Sequence, residues 1–281
     1  MNLKLIALTT LTMVAFAANS IFCRLALFDS ANSPVSFTLL RLLSGAILLL
    51  FFFFKVRSSE SKKPNAKNSL AAITLFAYAL FFSLAYVQLN TGTGALILFA
   101  SVQLTMMVAS FVQGHTMNKQ ETIGIILALS GFIYLLLPGI TMPPIVGAAF
   151  MCLSGVSWGI YSLLGQGSKN SVFSTARNFL FTLPLIILLA LIHKFQLTPA
   201  GIIWAILSGG ITSGLGYVLW YTVLKDLKTS TAAIVQLSVP VIAALGGVIF
   251  LSEVIHLRLV IAGCLIFSGI YLKVKPTSLI K

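Results

Sequence analysis

Ten long apolar runs, separated by short connections, determine the class of fold that this chain can adopt. The runs cover approximately residues 4–23, 35–54, 69–89, 93–113, 120–137, 144–164, 172–192, 199–221, 230–251 and 257–273. Each is close to the roughly 20 residues that carry an apolar helix across the hydrocarbon core of a bilayer. Only 8% of the residues are charged, against roughly a quarter in soluble domains. The sequence therefore predicts an all-α integral membrane protein whose ten transmembrane helices lie in a lipid bilayer.

The 18 basic residues are distributed unevenly between the two sides of the predicted bundle. Thirteen lie near the chain ends or in the loops on the same side of the membrane, five of them in the hydrophilic stretch Lys55–Ser69. The loops of the other side carry only Arg24, Lys194 and Arg258. Under the positive-inside rule this asymmetry predicts that both termini are cytoplasmic. The formal net charge of +13 is then explained by the orientation of the helices in the membrane. We therefore expect no nucleic acid partner.

The ten runs divide into two sets of five that align with each other. A shift of 138 residues maps "TGALILFASV" from Thr93 onto "TAAIVQLSVP" from Thr231. Because each set has an odd number of helices, the second enters the membrane from the opposite side and the repeat is inverted. We predict one five-helix repeat over residues 1–138 and another over residues 139–281. The first run is then expected to be a retained helix rather than a signal peptide. Inverted repeats are common in secondary transporters, which place a central site between the halves.

Residues of both halves also carry a resemblance to a known family. Asn19 lies in the first helix, where the sixth has "SWGIYS", and an arginine lies early in the second helix. The ninth-helix pattern "QLSVPVIAALGGVIFLSE" contains Pro240 and Glu253, and the fifth and tenth helices contain "GIILALSG" and "AGCLIFSG". On these residues the chain resembles a ten-helix, EamA-type member of the drug/metabolite transporter superfamily. The first half departs from the pattern, with Val102 where the proline would lie and His115 opposite Glu253.

The resemblance implies a central cavity lined mainly by helices one, three, four, six, eight and nine. Polar and aromatic side chains inside these helices are candidates for the site, since polarity in hydrocarbon is costly unless it faces a cavity or a partner. The candidate substrate-binding residues are Asn19, Tyr78, Gln103, Trp158, Tyr161, Tyr217 and Gln236. Polar groups with aromatic walls suit a zwitterion or a neutral metabolite better than an inorganic ion.

Two arginines lie inside apolar runs in the shared pattern Phe-x-x-x-Arg, at Arg41 and Arg177. Each is roughly 10 Å from a different membrane face, at 1.5 Å per residue. At that depth a guanidinium can extend to the interface or bond carbonyls at a helix end. We therefore predict a paired structural or gating role, with direct contact to the substrate as the alternative.

Pro240 and Glu253 are predicted to have structural or gating roles as well. Pro240 lies inside the ninth run, where the missing N–H predicts a kink that is either a hinge or a static bend. Glu253 lies at the outer end of the same helix and is expected to bond nearby backbone or Arg258.

The acidic residues are informative because all five fall in loops or at predicted helix ends. They are Asp29, Glu60, Glu121, Asp226 and Glu253. No carboxylate is predicted near the midplane, which argues against a proton-coupled exporter of organic cations. The sequence contains neither paired carboxylates suited to Mg²⁺ nor an HExxH motif, so we predict no metal, no cofactor and no enzymatic activity.

We predict a secondary transporter in a bacterial cell inner membrane that moves a small-molecule substrate by alternating access. Amino acids or related metabolites, and export, are what the resemblance implies. One alternative is a facilitator or exchanger of a larger metabolite such as a nucleotide derivative, stacked on Trp158 or Tyr217. A membrane-embedded enzyme or assembly factor is a remote alternative, and the sequence leaves open whether the chain forms a homodimer.

Overall fold

The fold is a bundle of ten helices in a computed structural model that describes residues 3–55, 65–112, 119–139, 142–165, 168, 170–227 and 235–274. The helices are α1 Leu3–Leu27, α2 Pro34–Lys55, α3 Ala66–Tyr86, α4 Thr91–Val112, α5 Lys119–Leu136, α6 Ile145–Gly165, α7 Ser171–Ile192, α8 Pro199–Val223, α9 Ser238–Leu251 and α10 Leu257–Val274. Within these ranges eight helices are long and apolar enough to cross a membrane, and α9 and α10 contain shorter apolar stretches. The predicted all-helical membrane fold is confirmed. The start of the ninth run, including Thr231, lies outside the described residues.

The outward-facing surface of the bundle is apolar. Large hydrophobic side chains are exposed along several helices, among them Ile47, Phe51, Val108, Ile187 and Ile249. Water would not stabilise such a surface, whereas lipid tails would. The charged side chains of the described residues instead lie mainly near helix ends, with Arg41 and Arg177 as buried exceptions.

Helix packing follows a pattern that recurs when the first five helices are exchanged for the last five. Helix α6 packs against α3 and α4, and α1 correspondingly packs against α8 and α9. Likewise α2 contacts α8, as α7 contacts α3, while α5 packs against α10 and α4 against α9. The innermost contacts therefore bring α1, α3, α6 and α8 together. The division at residues 138 and 139 remains a prediction.

Helices α7, α8 and α9 depart from a continuous, regular α-helix. Helix α7 is interrupted at Thr182, so that Pro184 lies near the start of its second segment, Leu183–Ile192. Pro240, which the sequence placed inside a continuous helix, lies instead in the first turn of α9, just after a turn at Leu237. A proline is tolerated there because the first N–H groups of a helix have no partner within the helix.

Helix α8 contains a π-helical segment, Leu207–Leu215, between two α-helical ends. This segment crosses α2, and a Cβ at Gly209 would overlap the Arg41 carbonyl oxygen and the Ser44 Oγ. The two backbones therefore approach each other at the level of Arg41, which only a residue without a side chain permits at this point. Insertions of π-helix into α-helices are frequent at functional sites.

Candidate central binding site

The side chain of Asn19 connects α1 with α3 and α8 in the centre of the bundle. Its Oδ1 accepts hydrogen bonds from the hydroxyls of Ser208 at 2.6 Å, Thr212 at 3.1 Å and Ser213 at 3.4 Å. Its Nδ2 donates to the Tyr78 hydroxyl at 3.2 Å. All five side chains are buried. The π-helical segment makes this possible because its wider turn presents three hydroxyls to one acceptor.

Arg41 joins the same network from α2. Its Nε donates to the Ser213 hydroxyl at 3.1 Å, and its Nη2 donates to the hydroxyls of Tyr78 at 3.2 Å and Tyr217 at 3.0 Å. The guanidinium carbon lies 5.2 Å from the centre of the Tyr78 ring and 4.9 Å from that of Phe82. Both distances suit cation–π contact. Arg41 is 1% exposed, so the side chain points into the core rather than toward an interface.

An aromatic cluster encloses the network. The Trp158 ring lies 4.6 Å from the Tyr217 ring, 4.9 Å from the Tyr78 ring and 5.7 Å from the Phe16 ring, measured between centroids. These rings surround a cavity of about 10 Å³, which is room for about one water molecule. The cavity is lined by Phe16, Asn19, Tyr78, Phe82, Leu98, Phe99, Trp158 and Tyr217. The conformation described here is therefore closed around its centre.

Four of the seven predicted substrate-binding residues line this cavity: Asn19, Tyr78, Trp158 and Tyr217. Tyr161 lies one layer away, with its ring 5.4 Å from that of Trp158. Gln103 and Gln236 are buried, but neither lines the cavity.

Arg177, the counterpart of Arg41 in the second half, lies in a different environment. Its guanidinium carbon is 5.7 Å from the centre of the Phe173 ring, and that ring stacks on Phe53 at 5.0 Å. Its neighbour Asn178 donates to the Tyr161 hydroxyl at 3.4 Å. The two arginines therefore differ in their surroundings despite their matched sequence positions.

A second polar cluster, the Arg24 latch, joins α1, α3, α4 and α9 at one end of the bundle. Arg24 Nη1 donates to the carbonyls of Tyr86 at 2.8 Å and Val87 at 3.1 Å, and its Nε forms an ion pair with Glu253 Oε1 at 3.4 Å. Glu253 accepts from the backbone N–H of Thr91 at 2.8 Å and from its hydroxyl at 3.1 Å. A carboxylate at the first residue of α4 also favours the helix dipole.

Glu253 bonds nearby backbone, at Thr91, which was the first of its two expected roles. Its cationic partner is Arg24, and Arg258, the alternative, is not its partner. Arg258 donates instead to the Leu137 carbonyl at 2.7 Å. The αL conformation of Ser252 turns the chain at the end of α9, and Glu253 then points back toward α4.

Sequence reasoning missed the residues that complete the central site. These are Phe16, Phe82, Ser208, Thr212 and Ser213. A signal for three of them exists in "SGGITSG", where hydroxyl residues stand at i, i+4 and i+5 inside an apolar run. Within the described part of the chain, no group of three His, Cys, Asp or Glu side chains is arranged to hold a metal ion.

Known proteins are similar to this chain in sequence and in fold. The EamA-like transporter family matches residues 3–137 and again residues 145–274. Uncharacterized protein PA1977 of Pseudomonas aeruginosa is 45% identical over 275 residues, which cover 97% of this chain and 95% of the relative. The threonine/homoserine exporter RhtA of Salmonella typhimurium is 26% identical over 275 residues, covering 94% of this chain and 88% of the exporter.

A more distant relative and a solved structure extend the comparison. Uncharacterized transporter YoaV of Bacillus subtilis is 23% identical over 252 residues, covering 85% of this chain and 86% of its own. A solved protein structure with 19% sequence identity has the same fold, with a TM-score of 0.66 over 94% of this chain and 97% of the other. Since the family match covers both five-helix stretches, the chain belongs to the EamA-like transporter family of multi-pass membrane proteins.

Proposed function

We propose that this protein is a secondary transporter that exports small polar metabolites, amino acids or related compounds, by alternating access. The observation that carries the proposal is the closed cavity at the contact of α1, α3, α6 and α8, where helices of both halves supply polar and aromatic side chains. Export of amino acids is supported by the similarity to RhtA, which is named as a threonine/homoserine exporter.

The lining residues suit a small solute with both polar and apolar parts. Asn19, Tyr78 and Tyr217 offer hydrogen-bonding groups, while Trp158 and Phe16 offer apolar faces. Pockets of this composition bind small molecules by shape and a few directed polar contacts. Tyr161, Gln103 and Gln236 belong to the proposed site as residues that contact the solute when the cavity opens.

The Arg24 latch is the proposed gate on the outer side. The proposed location is a bacterial cell inner membrane with both termini cytoplasmic, which puts the far end of α1, and with it Arg24 and Glu253, outside. The turn at Leu237 with the nearby Pro240, and the stacked Phe53–Phe173 contact beside Arg177, are the proposed structural elements of the inner side. The described conformation is then closed to the outside by an ion pair and backbone hydrogen bonds.

Counterflow in proteoliposomes tests this function. Vesicles preloaded with a mixed metabolite panel should accelerate uptake of a labelled member of the panel, because a carrier returns faster when loaded on both sides. The panel contains amino acids as one arm and nucleotide derivatives as the other. Vesicles without protein are the control. If no solute accelerates the flux of any other, the transporter proposal is contradicted, and acceleration by nucleotide derivatives alone would favour the exchanger.

A further inference from the structure

The guanidinium of Arg41 is a full positive charge that only neutral side chains surround. Its hydrogen-bond acceptors are the hydroxyls of Ser213, Tyr78 and Tyr217. The carboxylate of Glu253 is paired with Arg24 at the end of the bundle, away from Arg41. A buried charge without a counter-charge is strongly unfavourable. The site is therefore incomplete as it stands.

Hydrogen-bonding capacity is also left over at this point. Arg41 Nη1 is buried and has no hydrogen-bond partner among the described residues. The hydroxyls of Tyr78 and Tyr217 lie 3.3 Å apart, so one of their two protons is used between them and the other is left to donate. The unfilled donors are thus a guanidinium N–H pair and a phenol, which together suit an anionic oxygen acceptor.

Three side chains that contact Arg41 separate it from the central cavity. Tyr78, Tyr217 and Phe82 each contact Arg41 and also line the cavity. An anionic group of a solute in the cavity would therefore meet the guanidinium as soon as the tyrosines separate. Arginine is well suited to this because its guanidinium is always charged and presents planar N–H donors to a carboxylate, and the donors on Nη1 are left over here.

We propose that Arg41 binds the carboxylate of the transported solute, together with a tyrosine hydroxyl. The proposal rests on the proposed transport function and names its substrate class: monocarboxylates, including zwitterionic amino acids. One carboxylate balances one guanidinium, whereas a phosphate monoester carries about −1.5 to −2 charges. No residue that lines the described cavity is a second cation. The positive charge also excludes organic cations from the site.

Matched acids and amides test the proposal by binding. The purified protein is incubated with amino acids, with the primary amide of each, and with glycerol phosphate and glycerol as a second matched pair. Ligand-induced shifts of the thermal unfolding midpoint give apparent dissociation constants. In the wild-type protein we expect at least one acid to bind about tenfold or more tightly than its amide, because the charge-assisted hydrogen bonds are lost in the amide.

Two arginine variants locate this preference. Arg41→Gln should weaken binding of the acid about tenfold or more and bring acid and amide within about twofold of each other. Arg177→Gln is the matched control and should keep the wild-type ratio. Arg41→Lys keeps the charge but not the planar set of guanidinium N–H donors, and should retain an intermediate preference for the acid. It also replaces Arg41→Gln as the test variant if Arg41→Gln does not fold.

The proposal is overturned if no carboxylate stabilises the wild-type protein, if acid and amide bind equally, or if glycerol phosphate binds more tightly than every acid. A preference that survives in Arg41→Gln, or that Arg177→Gln removes equally, also overturns it. These results do not depend on flux. A protein that shows no counterflow but still discriminates acid from amide through Arg41 would contradict the transport function and leave the assignment of Arg41 intact.

Discussion

Gly209→Ala should destabilise the protein by about 1–3 kcal/mol, because overpacking of a close contact costs that much. A Cβ at this position would overlap the backbone carbonyl of Arg41 and the Ser44 Oγ. The backbone of α2 cannot move aside as a flexible side chain could, so α2 and α8 would separate. Thermal unfolding in detergent should show a midpoint lowered by roughly 2–10 °C, and counterflow should fall as Arg41 leaves its partners.

The adjacent Gly210→Ala is the matched control for this change. It lies in the same π-helical segment and is also buried, but the nearest atom to its added Cβ would be the Leu48 Cδ2 at 3.6 Å. That is an ordinary van der Waals contact, so Gly210→Ala should unfold at nearly the wild-type temperature. Equal losses in both variants would show that the segment tolerates no side chain for another reason, and an unchanged Gly209→Ala would contradict the close helix approach.

Asn19→Leu should both destabilise the protein and abolish most of its transport. The change removes one acceptor shared by three hydroxyls and one donor to Tyr78. Hydrogen bonds between membrane helices contribute about 0.6 kcal/mol each on average, so the four together predict a loss of about 2 kcal/mol. Counterflow should fall about tenfold or more, since the cavity loses a central polar group.

Thr12→Val is the control in the same helix. Thr12 is fully buried, and its hydroxyl donates to the Leu8 carbonyl of its own helix at 2.7 Å. Because this hydrogen bond joins no second helix, loss of the hydroxyl should change neither stability nor flux appreciably. A double-mutant cycle sharpens the comparison: Ser208→Ala should destabilise the wild-type protein but have a smaller effect in Asn19→Leu, where its acceptor is already gone. Additive effects would contradict the shared network.

The helices were predictable from the sequence because ten apolar runs of membrane-spanning length leave few other folds. The level of the cavity along each helix was not. In helix α4 the cavity is lined by Leu98 and Phe99, whereas the sequence candidate was the polar Gln103, which lies one turn later on the same face as Phe99. The apolar residues of α4 gave no signal that they line the cavity, because apolar side chains occur on all sides of this helix.

The position of the Arg41 side chain also depended on tertiary structure. Its sequence depth was compatible with extension toward an interface, and the shared pattern with Arg177 indicated a symmetric pair. The π-helical segment of α8 breaks that symmetry by presenting Ser213 to Arg41, and Tyr217 follows it in the next turn. Asn19, Tyr78, Trp158 and Tyr217 were found together because intramembrane polar and aromatic groups tend to face a shared interior.

Sided labelling of two cysteines, one on each side of the cavity, tests alternating access most directly. Cys23 lies four residues beyond Asn19 toward the Arg24 latch and is fully buried. Its labelling is measured in a Cys152→Ala, Cys264→Ala variant, in which it is the remaining native cysteine. The second cysteine is introduced as Ser162→Cys, four residues beyond Trp158 toward the other end of the bundle. Its labelling is measured with all three native cysteines replaced by alanine. Membrane-impermeant maleimide is added from each side of the membrane, with and without Glu253→Ala.

Glu253→Ala removes the partner of Arg24 and of the Thr91 N–H. It should therefore raise external labelling of Cys23 by about tenfold and lower internal labelling of Ser162→Cys in the same preparation. Opposite changes at the two positions are the result that alternating access around the central site predicts. An increase at both positions, or a change at neither, would contradict it.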